Sequence, residues 1–163
     1  MLRFFAILLA LGSSPPDLDI GLPIDGLTAA SLRDSFDEEH SGHAHEAIDI
    51  PSPKGTPVHA VVSGTIRKLF LSERGGITIY EFDDKDVYCY YYAHLDRYAD
   101  GLREGMEIKR GDLIGFVGST GNADVRSPHL HLAIFELGAE KKWWQGKALN
   151  PYPALVAAVK KAK

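Results

Sequence analysis

Cysteine is almost missing: the chain holds one, Cys89, in 163 residues. A single thiol excludes an intrachain disulfide framework and a cysteine-based zinc site. It sits inside the apolar run Tyr88-Cys89-Tyr90-Tyr91-Tyr92 with no cysteine-protease signature around it, which marks a small buried residue rather than a nucleophile. Positive charge is also short. Lys and Arg number 18 against 22 Asp and Glu, a formal net charge of -4. Nucleic acid is therefore not expected as a partner, because phosphate backbones call for a basic face. Nothing in the body of the chain approaches the apolar length needed to span a bilayer, so no transmembrane segment is expected in the mature chain. Low-complexity tracts and regular repeats are absent too. What is there is one domain's length of chain with 45% hydrophobic residues, enough for a sizeable core.

Residues 1–12 read as a secretory signal. Arg3 supplies the positive end, Phe4 to Leu9 the apolar run, and Ala10-Leu11-Gly12 the small residues that a signal peptidase reads. Export to the periplasm or cell envelope is expected. No cysteine follows closely, which excludes lipid attachment at a mature N-terminal cysteine. Residues 13–26, with Ser13-Ser14-Pro15-Pro16 and further Gly and Pro breaks, read as a lead-in or linker. Residues 27–163 form the expected domain. Thr28 to Phe36 suits a short helix capped by Thr28, and 37–44 a polar loop.

From Ile48 onward strand signals recur at short intervals, at 58–62, 65–71, 77–82, 87–94 and 113–117. Asp83-Asp84-Lys85-Asp86 reads as a hairpin turn, and ten glycines between 55 and 121 punctuate the run. The expected fold class is mainly β, an antiparallel sheet with many tight turns. A short C-terminal helix, 154–161, ends in Lys160 and Lys161, where positive charge suits the helix dipole.

The chemistry concentrates in two alternating stretches. In Pro128-His129-Leu130-His131-Leu132 the two histidines share one strand face and the leucines the other. In His45-Glu46-Ala47-Ile48-Asp49-Ile50 the same alternation groups His45, Ala47 and Asp49, and turns Glu46 away. If both are strands of one sheet, His45, Asp49 and His131 converge. Two imidazoles and a carboxylate leave a fourth position open on a tetrahedral zinc, the pattern of a catalytic site. Further along, Tyr90, Tyr92 and His94 share a face by alternation, and that face can be the one bearing the metal. The remaining tyrosines suit half-buried sheet positions. Trp143 and Trp144 could line a groove, and His59 reads as structural.

His45 and Asp49 with three residues between, Gly55-Thr56-Pro57-Val58, Tyr92-Ala93-His94-Leu95, Gly118-Ser119-Thr120-Gly121 and Pro128-His129-Leu130-His131 occur in this order. Over about 32–152 the sequence resembles the lysostaphin/LytM-type zinc metallopeptidases, which cut peptide cross-links in bacterial peptidoglycan. The resemblance implies a duplicated-hybrid-motif-like fold and one Zn2+ per chain, bound by His45, Asp49 and His131. It also implies that His94 and His129 are the catalytic histidines, and that peptidoglycan stem peptides are the substrate, cut through a metal-activated water. A mature-like, open site is expected, since no room is seen for a propeptide. Two positions depart from the family. Ala47 stands where glycine is common, and by alternation faces the metal. His43 stands where many relatives carry arginine, which bears on substrate contacts.

Two other classes compete. A non-catalytic peptidoglycan-binding or hydrolase-activating module would have lost some of these five residues, and all five are present. The facial triad of Fe(II) oxygenases also uses two histidines and a carboxylate, but there the first pair is spaced His-x-Asp. An exported zinc endopeptidase is the expectation, with a D-amino-acid cross-link favoured over a glycine bridge.

Overall fold

In a computed structural model, residues 17–40 and 42–163 are described, the side chain of residue 40 excepted. The expected signal, 1–12, lies outside the described residues. A three-residue 3-10 helix, Ala29–Ser31, precedes eleven strands: β1 (Glu39–His40), β2 (His43–Ala44), β3 (Ile48–Pro51), β4 (Pro57–His59), β5 (Gly64–Ser72), β6 (Gly76–Asp83), β7 (Tyr88–Tyr98), β8 (Glu107–Ile108), β9 (Leu113–Val117), β10 (His129–Leu137) and β11 (Gly146–Leu149). Helix α1 (Tyr152–Lys161) closes the chain. The mainly β, antiparallel expectation holds.

The N-terminal helix is shorter than its apolar spacing suggested. The Ser31 hydroxyl donates back to the Thr28 carbonyl (2.8 Å) and accepts from the Thr28 N–H (3.0 Å). Such local bonds compete with helix propagation, and the chain turns extended at Leu32. The expected loop 37–44 instead carries the small β1–β2 hairpin.

Nine strands form one sheet, in the order β11-β10-β7-β6-β5-β8, with β3 on β10 and β4 on β9, which in turn joins β7. Strand β10 organises it. Along one edge it pairs with β7; along the other, β3 covers His129 to Leu132 and β11 covers Ile134 to Leu137. Its alternation sends Leu130, Leu132 and Ile134 fully into the core, where Ile48, Ile50, Tyr92, Ile114 and Leu155 meet them. The opposite face carries His129 and His131 at one end and a smaller cluster at the other, with Phe82, Cys89 and Leu137 under Tyr80, Phe135 and Trp143. Cys89 is buried there, and burial holds its thiol far above the ordinary range, so it supplies no nucleophile.

Residues 17–26 lie along the domain. Ile20 and Ile24 are buried, the Gly21 N–H donates to the Val61 carbonyl (2.6 Å), and Asp19 pairs with Arg110 (3.1 Å) and Lys161 (2.7 Å). Helix α1 buries Ala154, Leu155, Ala158 and Val159. Its Lys161 thus ties the last turn to the first described segment.

One buried polar group has no apolar logic. Glu81 of β6 faces the core at 0% exposure. Its Oε2 accepts from the Tyr92 hydroxyl (2.6 Å), which itself accepts the Val61 N–H (2.9 Å), while Oε1 has no partner among the described residues. Burial is the main cause that pushes the Glu81 carboxyl up to about 8 from its ordinary 4.5; the Tyr92 bond works the other way. A carboxyl raised on folding keeps a proton that the unfolded chain gives up. Its contribution is therefore full below pH 4.5 and is lost as pH climbs to about 8, at up to about 1.4 kcal/mol per pH unit. We expect Glu81→Gln to gain on the wild type by roughly 2–4 kcal/mol between pH 5 and 8, read from urea unfolding. Parallel pH curves for the two proteins would refute this.

Candidate metal centre

His45 does not lie on the strand the alternation suggested. Strand β3 begins only at Ile48, because Glu46 takes a left-handed backbone (φ 55°). That turn buries Ala47 completely and away from the cleft lining, so the expectation that Ala47 faces the metal is overturned. Glu46 lines a hollow beside His45 rather than being turned away by alternation. The same turn swings His45 over Asp49.

Three atoms then meet. His45 Nε2 lies 3.2 Å from Asp49 Oδ1 and 3.2 Å from His131 Nδ1, and His131 Nδ1 lies 3.1 Å from Asp49 Oδ1. Asp49 and His131 stand directly opposite each other in the β3–β10 register. This is the one group of three or more potential ligands found among the described residues. A tetrahedral zinc with bonds of roughly 2.0–2.1 Å separates its ligand atoms by about 3.3–3.4 Å, so the donor set and its spacing fit the ion. Hydrogen bonding also suits ligation. The Ser35 carbonyl lies 3.0 Å from His45 Nδ1, so a proton there leaves the Nε2 lone pair aimed at the cluster.

Ser35 was missed by sequence reasoning. Besides its carbonyl contact, its buried hydroxyl lies 3.3 Å from both the Ala47 carbonyl and the Asp49 N–H. One serine thus braces the segment that carries two of the three donors. Nothing in a lone Ser-Phe pair announces this, since the bonds span 10 to 14 residues.

His94 reaches the site by breaking the pattern that was expected to place it. Tyr90 and Tyr92 are buried in the core, while Tyr91 and Ala93 line the cleft, with Ala93 opposite His131. The expected shared face of Tyr90, Tyr92 and His94 is therefore wrong. The cause is the left-handed backbone at His94 (φ 59°), where β7 leaves β10 as partner and takes up β9. The His94 N–H donates to the Gly75 carbonyl (2.8 Å), and Nδ1 lies 2.8 Å from the Thr120 carbonyl. His129 Nδ1 lies 2.9 Å from the Ser127 carbonyl. Both contacts favour the tautomer that leaves Nε2 as the basic nitrogen. The two rings lie 4.9 Å apart, His94 lies 5.5 Å from the His131 ring, and His129 Nε2 lies 3.8 Å from Asp49 Oδ1.

The electrostatics are set by Asp49. Burial alone would raise its carboxyl, but hydrogen bonds from His131 and His45 hold it well below the usual carboxylate range. Burial would lower His45, and the Asp49 carboxylate outweighs it and raises it; for His131 burial wins and lowers it. His94 is pushed down to about 4, chiefly by burial and against the pull of the Thr120 carbonyl. It is neutral at pH 7.

The other histidines divide. His43 lines the cleft, His59 is tied to the Gly111 carbonyl (3.0 Å) well outside the cleft lining, and the side chain of His40 lies outside the described residues. The cleft, about 510 Å³, runs from the three donors past Tyr91 and His94 to Arg74, Asn122 and Asp124. A hollow of about 240 Å³ continues it past Ala133 and Phe135 to Trp144, which is 60% exposed. No helix among the described residues is long and apolar enough to cross a membrane.

The chain is 32% identical over 118 residues to an L-Ala–D-Glu endopeptidase of Bacillus subtilis, covering 69% of this chain and 35% of that protein. It is 33% identical over 98 residues to the peptidoglycan DD-endopeptidase ShyC of Vibrio cholerae, covering 60% and 22%. The chain thus spans about a third or less of these relatives. Among solved structures, the catalytic domain of lysostaphin from Staphylococcus simulans superposes with a TM-score of 0.60 at 31% identity, covering 71% of this chain and 81% of that one. The model of peptidase family M23 matches residues 43–151, and the chain belongs to that family.

Proposed function

We propose that the chain is an exported zinc endopeptidase that hydrolyses peptide cross-links of bacterial peptidoglycan. The observation that carries this reading is the triangle of His45 Nε2, Asp49 Oδ1 and His131 Nδ1, with sides of 3.1–3.2 Å, flanked in an open cleft by His94 and His129. His45, Asp49 and His131 would hold one zinc ion. Bound there, zinc supplies Lewis-acid polarisation of a scissile carbonyl and acidifies a water molecule.

The protein's own groups do the rest. His94 and His129 present Nε2 as proton acceptors, held in orientation by the Thr120 and Ser127 carbonyls. One takes a proton from the attacking water; that ring, now protonated at Nε2, can steady the developing oxyanion and return the proton to the leaving amine. Burial keeps His94 neutral at pH 7, which leaves its Nε2 lone pair unprotonated. The activities of these two relatives, on L-Ala–D-Glu and DD peptide bonds, support a peptidoglycan substrate and a bond next to a D-amino acid.

The test is a digest of purified sacculi with and without a zinc chelator, with fragments identified by mass. Cross-linked dimers should give way to monomers, and the chelator should stop it. Intact cross-links with zinc bound would overturn the reading in favour of a binding or activating role. Replacing His45, Asp49 or His131 with Ala should abolish zinc binding, measured by metal analysis; full zinc content in any of them removes that ligand. His94→Ala and His129→Ala should keep zinc and slow turnover by roughly 10²–10⁴-fold. Near-normal turnover excludes that histidine from the chemistry.

A further inference from the structure

The cleft has one lysine or arginine among its lining residues, Arg74. It sits at the tip of the β5–β6 hairpin, exposed to solvent. The backbone of that tip is fixed against the site. The Arg74 carbonyl accepts the Asn122 N–H (2.9 Å), the neighbouring Gly75 carbonyl accepts the His94 N–H (2.8 Å), and the Thr120 hydroxyl accepts the Ile77 N–H (3.0 Å). Gly76 (φ 65°) and Gly121 (φ 74°) make this fit possible. A Cβ on Gly76 would fall 2.5 Å from Gly121 N, and one on Gly121 would fall 2.4 Å from Gly76 N. The backbone of Arg74 is therefore anchored beside the histidines.

Its charge is not spent among the described residues. Among the described residues no carboxylate forms an ion pair with Arg74. The acid that shares the cleft, Asp124, is taken by Arg126, with Nη2 to Oδ2 at 2.9 Å and Nε to Oδ1 at 3.2 Å. The other cleft acid, Asp49, is committed to His45 and His131. An exposed guanidinium without an ion pair among the described residues, on a backbone held beside a reaction cleft, can receive an anion, and guanidinium matches carboxylate bidentately.

Resting on the proposed peptidoglycan reading, we propose that Arg74 determines specificity: it binds a free carboxylate of the stem peptide near the scissile bond and selects such peptides over amidated or neutral ones. Stem peptides offer such groups on a D-Glu residue or at a D-Ala terminus, and a glycine bridge does not. The effect belongs to substrate binding, so it falls mainly on KM.

The experiment compares cross-linked muropeptide dimers with the same dimers converted to carboxamides. The wild type should cut the free acids with kcat/KM about 10- to 100-fold higher, the range for a charge-assisted hydrogen bond. In R74A that preference should collapse towards one through a raised KM, with zinc content and thermal unfolding as in the wild type; R74K should keep part of it. A structural role for Arg74 would instead slow both substrates alike. Equal rates for the wild type on acids and amides, or an undiminished preference in R74A, would overturn the assignment while leaving the endopeptidase reading intact. Failure to cut either substrate would remove that reading and this one with it.

Discussion

The site depends on one pairing, the antiparallel register between β3 and β10. It sets Asp49 directly across from His131 and, by the two-residue period of a strand, sends Ile48 and Ile50 with Leu130 and Leu132 into the core. A slip of one residue would turn the leucines out and the ligand side chains in, so the hydrophobic core itself enforces the metal geometry. Burying these fully enclosed aliphatic side chains is worth about 1.5–3 kcal/mol each. That holds two donor atoms 3.1 Å apart.

Departures from regular strand build the rest of the site. Left-handed residues at Glu46 and His94 cost energy in a chain of L-amino acids, and each persists because surrounding hydrogen bonds fix it. At Glu46 the N–H donates to the Phe36 carbonyl, and the His45 N–H next to it donates to the Glu38 carbonyl. At His94 the N–H is held by the β5–β6 hairpin tip. The kink at His94 is also where β7 exchanges β10 for β9, so one residue both ends a pairing and delivers a side chain to the cleft.

Around the donors, carbonyls do most of the orienting. Ser35, Thr120 and Ser127 each present a carbonyl to the Nδ1 of a different histidine. All three belong to loops, yet each loop is tied to the sheet: Ser35 through Asp49, Thr120 through Leu95 and Ile77, and Ser127 through the following strand. The arrangement needs no dedicated carboxylate behind each imidazole. It leaves Asp49 as the cluster's main negative charge and the cleft wall open to a cation, Arg74.

The sequence by itself determined the mainly β class and the core face of β10, and it singled out His45, Asp49, His131, His94 and His129, which the fold brings to one cleft. The class and the core face followed from local alternation, and the five cleft residues from ordered motifs, both written in neighbouring residues. It misjudged the faces of Ala47 and of Tyr90 to His94, because alternation is broken at two residues, Glu46 and His94, whose left-handed backbone is held by partners 10 and 19 residues away. It gave no sign of Ser35 or Arg74, whose importance lies in contacts from 10 to 48 residues off along the chain. The tertiary structure alone decided these, since only the packing of hairpins and loops against β10 determines which polar group faces which ring.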